Sequence, residues 1–162
     1  MKESDFLNKL KKEGKLELTD PSKEMSEAYI MKSNNCMLSA KYLYEKNIYE
    51  NSVTEAYFGI YNSILSLLYK CGIKSETHAG SVILLEMLFN LDDTAKSVAD
   101  AKKERIDNQY YVTDNINAEI SRNYCKDFIS SSEKLILEIR SYKDHLTEEK
   151  IKILRNKFKN LK

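Results

Sequence analysis

An all-α fold, an antiparallel helical bundle of about five core helices plus terminal helices, is predicted by three features of the sequence. Proline occurs once, at Pro21, and glycine four times, too few for a turn-rich sheet protein. Apolar residues return every three or four positions along most of the chain, the period of a helix with one buried face. The segments between these runs are short, which joins neighbouring helices as antiparallel pairs. Beta structure has little support.

The elements follow in order. A short amphipathic run, Asp5 to Glu13, stops at Gly14. In "KLELTDPSKE" Asp20 reads as a cap, with Pro21 in the first turn, where a missing N–H costs nothing. The helix that starts there should reach about Asn47, with Tyr29, Cys36, Ala40 and Leu43 as its buried stripe. After "KNIYENS", the residues Val53, Ala56, Tyr57, Ile60, Ile64, Leu67, Leu68 and Cys71 recur at helical spacing, and Gly72 followed by Ile73 marks a glycine stop. Gly59 inside this helix points to a close approach by a neighbour. Thr77 reads as the N-cap of "VILLEMLF", which is apolar on nearly every face and so central or covered by a partner. "DDTAKSVADAKKERIDNQYY" has acids in its first turn and bases later, as the helix dipole favours. A further long helix from about Asp114 presents Ile116, Ile120, Tyr124, Phe128, Leu135 and Ile139, and "HLTEEK" breaks it before a last short helix.

At 162 residues the chain fits one domain, since this size buries roughly 70% of the unfolded surface. Residues 1–19 read as an N-terminal extension and 147–162 as a basic C-terminal helix. Lys and Arg number 26 against 25 for Asp and Glu, so the net field gives no general argument for nucleic acid or membrane. Three cysteines, Cys36, Cys71 and Cys125, lie far apart without CxxC spacing and read as small core residues of a reducing compartment. "MKESDFLNKLKK" lacks the apolar core of a signal peptide, and no run reaches the ~18 apolar residues of a membrane span. A soluble, cytoplasmic protein is expected.

Most chemistries find no residues here. The two histidines, His78 and His145, have no ligands at metal spacing, so no metal or cofactor is expected. The glycines form no phosphate loop, no ExxH pair suggests a di-iron bundle, and nothing resembles a nucleophile elbow. Two stretches remain. In "ETHAG", His78 sits in the first turn of a helix, where N–H dipoles disfavour added positive charge and favour a neutral imidazole. The plainer reading is a helix-start residue that orders the preceding loop. In "KERIDNQYYV", Arg105 can fork to two phosphate or carboxylate oxygens. Tyr110, five residues on, shares its pocket only if the helix breaks near Gln109. Spacing alone reads Arg105 as a surface or salt-bridging charge. The C-terminal "KIKILRNKFKNLK" holds six bases and no acid, with Ile151, Leu154, Phe158 and Leu161 at three-four-three spacing. It suits RNA phosphates or an acidic partner, and more ordinarily solvated lysines over a docked stripe.

Taken together, "AYFGIYNSILSLLYKCGIKSETHAG" and "AKKERIDNQYYV" resemble the small stand-alone HEPN proteins of archaea and bacteria. In these an aromatic-rich helix ending in KGI is followed by THSG and then by a helix bearing RxxADY or RxDAxY. Tyr57, Phe58, Tyr61, Gly72, Thr77, His78, Gly80, Arg105 and Tyr110 fall where that pattern expects them, over roughly Ser39 to Ile139. The resemblance implies a homodimer formed through helices near the arginine motif, often encoded beside a minimal nucleotidyltransferase. Many HEPN relatives are RNases of toxin and defence systems, with Arg followed after four to six residues by His. Here Tyr110 stands at the His position, and Ile106 replaces the polar residue often found after the arginine. A tyrosine with a reference pKa near 10 is a poor base at neutral pH.

The expected function is therefore a non-catalytic HEPN module of a toxin–antitoxin or defence-type system. It would bind a nucleotidyltransferase partner, or a nucleotide or RNA, through Arg105, Asn108, Tyr110, Tyr111, His78 and Tyr57. The alternative is a metal-independent ribonuclease that uses Arg105 as cation and His78 as base. A second alternative is a structural helical adaptor whose C-terminal helix docks elsewhere.

Overall fold

The computed structural model of the chain describes residues 2–110 and 118–161, the side chains of 108–110 and 118–121 apart. Seven helices are described: α1 (Glu3–Lys12), α2 (Lys23–Glu45), α3 (Tyr49–Lys70), α4 (His78–Met87), α5 (Asp92–Tyr110), α6 (Ala118–Asp144) and α7 (Glu148–Lys159). Five form the core, with α1 and α7 as the terminal additions the sequence predicts.

Cross-helix bonds give the directions. Ser26 and Ser66 each donate an Oγ–H to the other's carbonyl at 2.8 Å, Ser33 donates to Gly59 O at 2.7 Å, and Ser52 to Ala40 O at 2.6 Å, so α2 and α3 run antiparallel. On α6, Arg140 reaches Asn34 and Glu133 reaches Lys41, which sets α6 antiparallel to α2. Tyr124 donates to Glu104 at 2.7 Å and Thr94 to Glu138 at 3.3 Å, so α5 opposes α6. The long helices α2, α3, α5 and α6 thus alternate in direction, with short α4 inserted between α3 and α5.

The α2–α3 contact is closer than apolar spacing suggests. Ser26, Ser33 and Ala40 recur every seven residues on α2 and face Ser52, Gly59 and Ser66, which do the same on α3. These serines are buried, and their hydroxyls are satisfied by backbone carbonyls across the contact. A Cβ at Gly59 would lie 2.8 Å from Met37 Sδ, so the expected close approach is found. The buried face of α2 is Ser26, Ser33, Met37 and Ala40; of the predicted stripe only Ala40 belongs to it, while Tyr29, Cys36 and Leu43 are half-buried at its margins. Cys71 and Cys125 are buried as expected.

Two further expectations are corrected. A two-stranded antiparallel sheet joins β1 (Leu16–Leu18) to β2 (Ile73–Ser75), with Glu17 opposite Lys74. Three-residue strands are too short to leave a period-two signal. The ladder continues from Thr19 N–H to Gly72 O at 2.8 Å, and Ser22 N–H reaches Tyr69 O at 3.0 Å, so the chain stays tied to the end of α3 beyond Asp20. Ser22, not Asp20, therefore caps α2 by accepting from Met25 N–H at 3.1 Å.

The C-terminal helix is docked. Leu154 and Phe158 are buried, and its bases serve nearby carbonyls: Arg155 Nη1 donates to Thr19, Cys71 and Gly72 at 2.7, 2.8 and 3.0 Å, and Lys157 to Leu88 O at 3.3 Å. No described helix is long and apolar enough to cross a membrane.

Candidate functional site

One turn and a half of α3, the start of α4 and the later half of α5 converge on a single cluster. The residues Tyr57, Phe58 and Tyr61 project from α3 on the side away from Gly59 and Ser66, as helical spacing requires. His78 opens α4, held there by the cap: Thr77 Oγ1 accepts from Gly80 N–H at 3.1 Å, and Ser81 Oγ donates to Thr77 O at 2.9 Å. A Cβ at Gly80 would lie 2.6 Å from Leu10 Cδ1, so this glycine lets α1 close over the turn. Thus "THAG" is a built corner, and its histidine is fixed.

The His78 ring lies flat on Tyr61, centroids 3.7 Å apart and 8° from parallel. Its edge meets Tyr57, whose hydroxyl is 2.9 Å from Nδ1. Tyr57 is fully buried, and burial pushes its phenol up to about 12 against a smaller opposing pull from Arg105. Burial, then the charges of Lys102 and Arg105, hold His78 below its ordinary value. Both groups are neutral near pH 7. The 2.9 Å contact joins the phenol and Nδ1 in one hydrogen bond, and the ring tautomer decides which of the two donates.

Arg105 covers the other side of this aromatic floor. Its guanidinium carbon is 5.4 Å from the Tyr57 ring centre and 5.7 Å from that of Phe58, within cation–π range. Nε is buried without a hydrogen-bond partner, and no ion pair to Arg105 or Lys102 occurs among the described residues. Among the described residues Arg105 is thus a half-buried guanidinium within cation–π range of two rings, with no ion pair of the kind its spacing suggests. An unpaired buried donor costs about 1–3 kcal/mol, and Arg140 Nε, on a side chain that joins α6 to α2, is likewise without a partner.

Of the sequence-predicted residues, Arg105, His78 and Tyr57 are brought together. The helix bearing Arg105 continues to Tyr110, so no break near Gln109 separates the two. Tyr111 and the side chains of Asn108 and Tyr110 lie outside the described residues. Sequence reasoning left Phe58, Tyr61 and Lys102 out of the site; the signal was the i, i+1, i+4 aromatics of α3 and the i, i+3 cations of α5, which lie side by side on a helix. Among the described residues no three His, Cys, Asp or Glu side chains gather to hold a metal. A scan against protein-family models finds no match, and a search of the curated proteins finds none either.

The depressed His78 has a consequence for stability. Below its ordinary value of 6.5 the unfolded chain takes up a proton that folded His78 resists, so its contribution is complete above that pH and falls as pH drops toward the lower folded value. Urea midpoints at pH 7.5 and 5.5 should therefore fall more for wild type than for His78→Gln; equal falls would contradict a half-buried imidazole held neutral.

Proposed function

We propose that the chain is a HEPN-type module that binds a nucleotide or single-stranded RNA at Arg105 without cleaving it. It acts as a homodimer beside a nucleotidyltransferase partner in a toxin–antitoxin or defence-type system. The observation that supports this reading best is the Arg105 guanidinium, within cation–π range of Tyr57 and Phe58 and with no carboxylate paired to it among the described residues. Lys102, one turn earlier, adds a second positive charge at His78. Two cations beside the half-buried Phe58 ring suit a phosphate with a base next to it. The fit to the HEPN pattern at "THAG" and Arg105 adds the family.

The ribonuclease reading gains from the proximity of His78 to Arg105, a base beside a cation. The setting of His78 weighs against it: Nδ1 is engaged with the Tyr57 hydroxyl, and burial beside two cations lowers the proton affinity of the ring. With Tyr110 in place of the usual histidine, no base remains in the expected position.

Fluorescence anisotropy with a labelled single-stranded RNA, and a gel of the same samples, tests the proposal. Wild type should bind and leave the RNA intact. Arg105→Ala should weaken binding roughly 10- to 100-fold, the loss of one charged hydrogen-bonding group. Cleavage abolished by both Arg105→Ala and His78→Ala would favour the ribonuclease; equal binding by wild type and Arg105→Ala would remove Arg105 from the site.

A further inference from the structure

The most exposed large apolar side chains lie together on one face: Leu38 at 70%, Met31 at 66% and Tyr42 at 60% on α2, and Leu137 at 63% on α6. On α2 they belong to a line, Ala28, Met31, Asn35, Leu38 and Tyr42, spaced alternately by three and four residues. This is the spacing of a coiled-coil seam, turned away from the Ser26, Ser33 and Ala40 face that meets α3. Leu137 sits between Glu133 and Arg140, the two α6 residues that reach Lys41 and Asn34, so it flanks Leu38. A contiguous apolar stripe with a polar rim on a surface helix is an interaction surface.

We propose that a second copy of this chain docks here, α2 against α2, antiparallel about a two-fold axis near Asn35. Asn35 lies almost at the middle of α2 (Lys23–Glu45). Buried alone in an apolar seam its amide would lose its hydrogen bonds to water; a two-fold axis beside it sets amide against amide. The same reversal brings Glu24, near the start of the helix, toward Lys46 at its end, with Lys23 and Glu45 the like charges there; Glu27 and Lys41 are already paired within the chain, with Lys23 and Glu133. Such self-complementarity is what an isologous contact requires and an unrelated partner does not. The inference rests on the homodimer within the proposed function and relocates its interface. The resemblance implies contacts near the arginine motif, whereas the seam lies across α3 from Arg105.

Sedimentation equilibrium of the full chain between about 1 and 100 µM tests it. Wild type is expected to be a dimer. Leu38→Glu should raise the dissociation constant about 100-fold or more, as a charge forced into an apolar contact does, with helicity and RNA binding retained. Glu24→Lys should weaken the dimer, and adding Lys46→Glu should restore it. A wild-type monomer throughout the range overturns both the seam and the homodimer. A wild-type dimer indifferent to Leu38→Glu and to Glu24→Lys overturns the seam alone. A monomer whose α2 face is protected only by another protein assigns the seam to that partner and overturns self-docking.

Discussion

Tyr57→Ala is expected to destabilise the protein by about 3–5 kcal/mol, the cost of deleting a large aromatic side chain and leaving a cavity. Tyr57 has no exposed surface and its hydroxyl is the partner of His78. Removing it takes away packing in the core, one ring beside Arg105 and the hydrogen-bond partner of His78, so stability and site fall together. Tyr57→Phe keeps the ring and should cost only about 1 kcal/mol, the value of one hydrogen bond. Urea unfolding followed by far-UV circular dichroism distinguishes the two. Equal, small losses for both would mean that the ring is not a core element.

Gly72→Ala is expected to cost at least about 3 kcal/mol, summing left-handed backbone strain with steric overlap. Gly72 has φ of +66°, and a Cβ there would run into the Arg155 guanidinium and lie 2.5 Å from Thr19 O and 2.6 Å from Pro21 N. Arg155 would have to move, and its three carbonyl contacts would be lost with it. Because α7 and the β1–β2 pair both attach at this point, both should loosen, read as faster amide exchange at Thr19, Glu76 and Leu154. Gly59→Ala is the contrast. There the obstacle is the flexible end of Met37, and alanine regains about 1 kcal/mol of helix propensity, so the net change should be small. Similar losses at the two glycines would contradict the assignment of the Gly72 corner as the tight one.

Where burial follows hydrophobicity, the fold is legible in the sequence. The apolar series from Val53 to Cys71, the Thr77 cap, the Gly72 stop and the break at "HLTEEK" are all where their spacing predicts. The face of α2 was not legible by that rule, because its contact with α3 is made by buried serines, whose hydroxyls look polar in sequence and are neutralised by carbonyls only in the packed pair. The seven-residue recurrence of Ser, Gly and Ala on both helices was the available signal. The two short strands left none, being held by main-chain bonds and by Arg155 from the far end of the chain.

The candidate site was legible in part. Arg105 and His78 stand 27 positions apart in number, and no local pattern joins them; only the order of motifs along the chain suggested a shared location. Their meeting depends on the route of α3, which supplies Tyr57 as the common floor. Nor does spacing reveal that the Tyr57 hydroxyl engages Nδ1, which leaves one ring nitrogen of His78 for any ligand.

The most direct measurement follows the Arg105 Nε–H resonance in a ¹H–¹⁵N correlation spectrum while single-stranded RNA is added, with Arg105→Lys to assign it and a gel to monitor the strand. A saturable shift of that resonance with the RNA left intact is the predicted result. An Nε–H that stays fixed at saturating RNA, or a strand cut by wild type and spared by Arg105→Lys, would contradict a binding site built around Arg105 without catalysis.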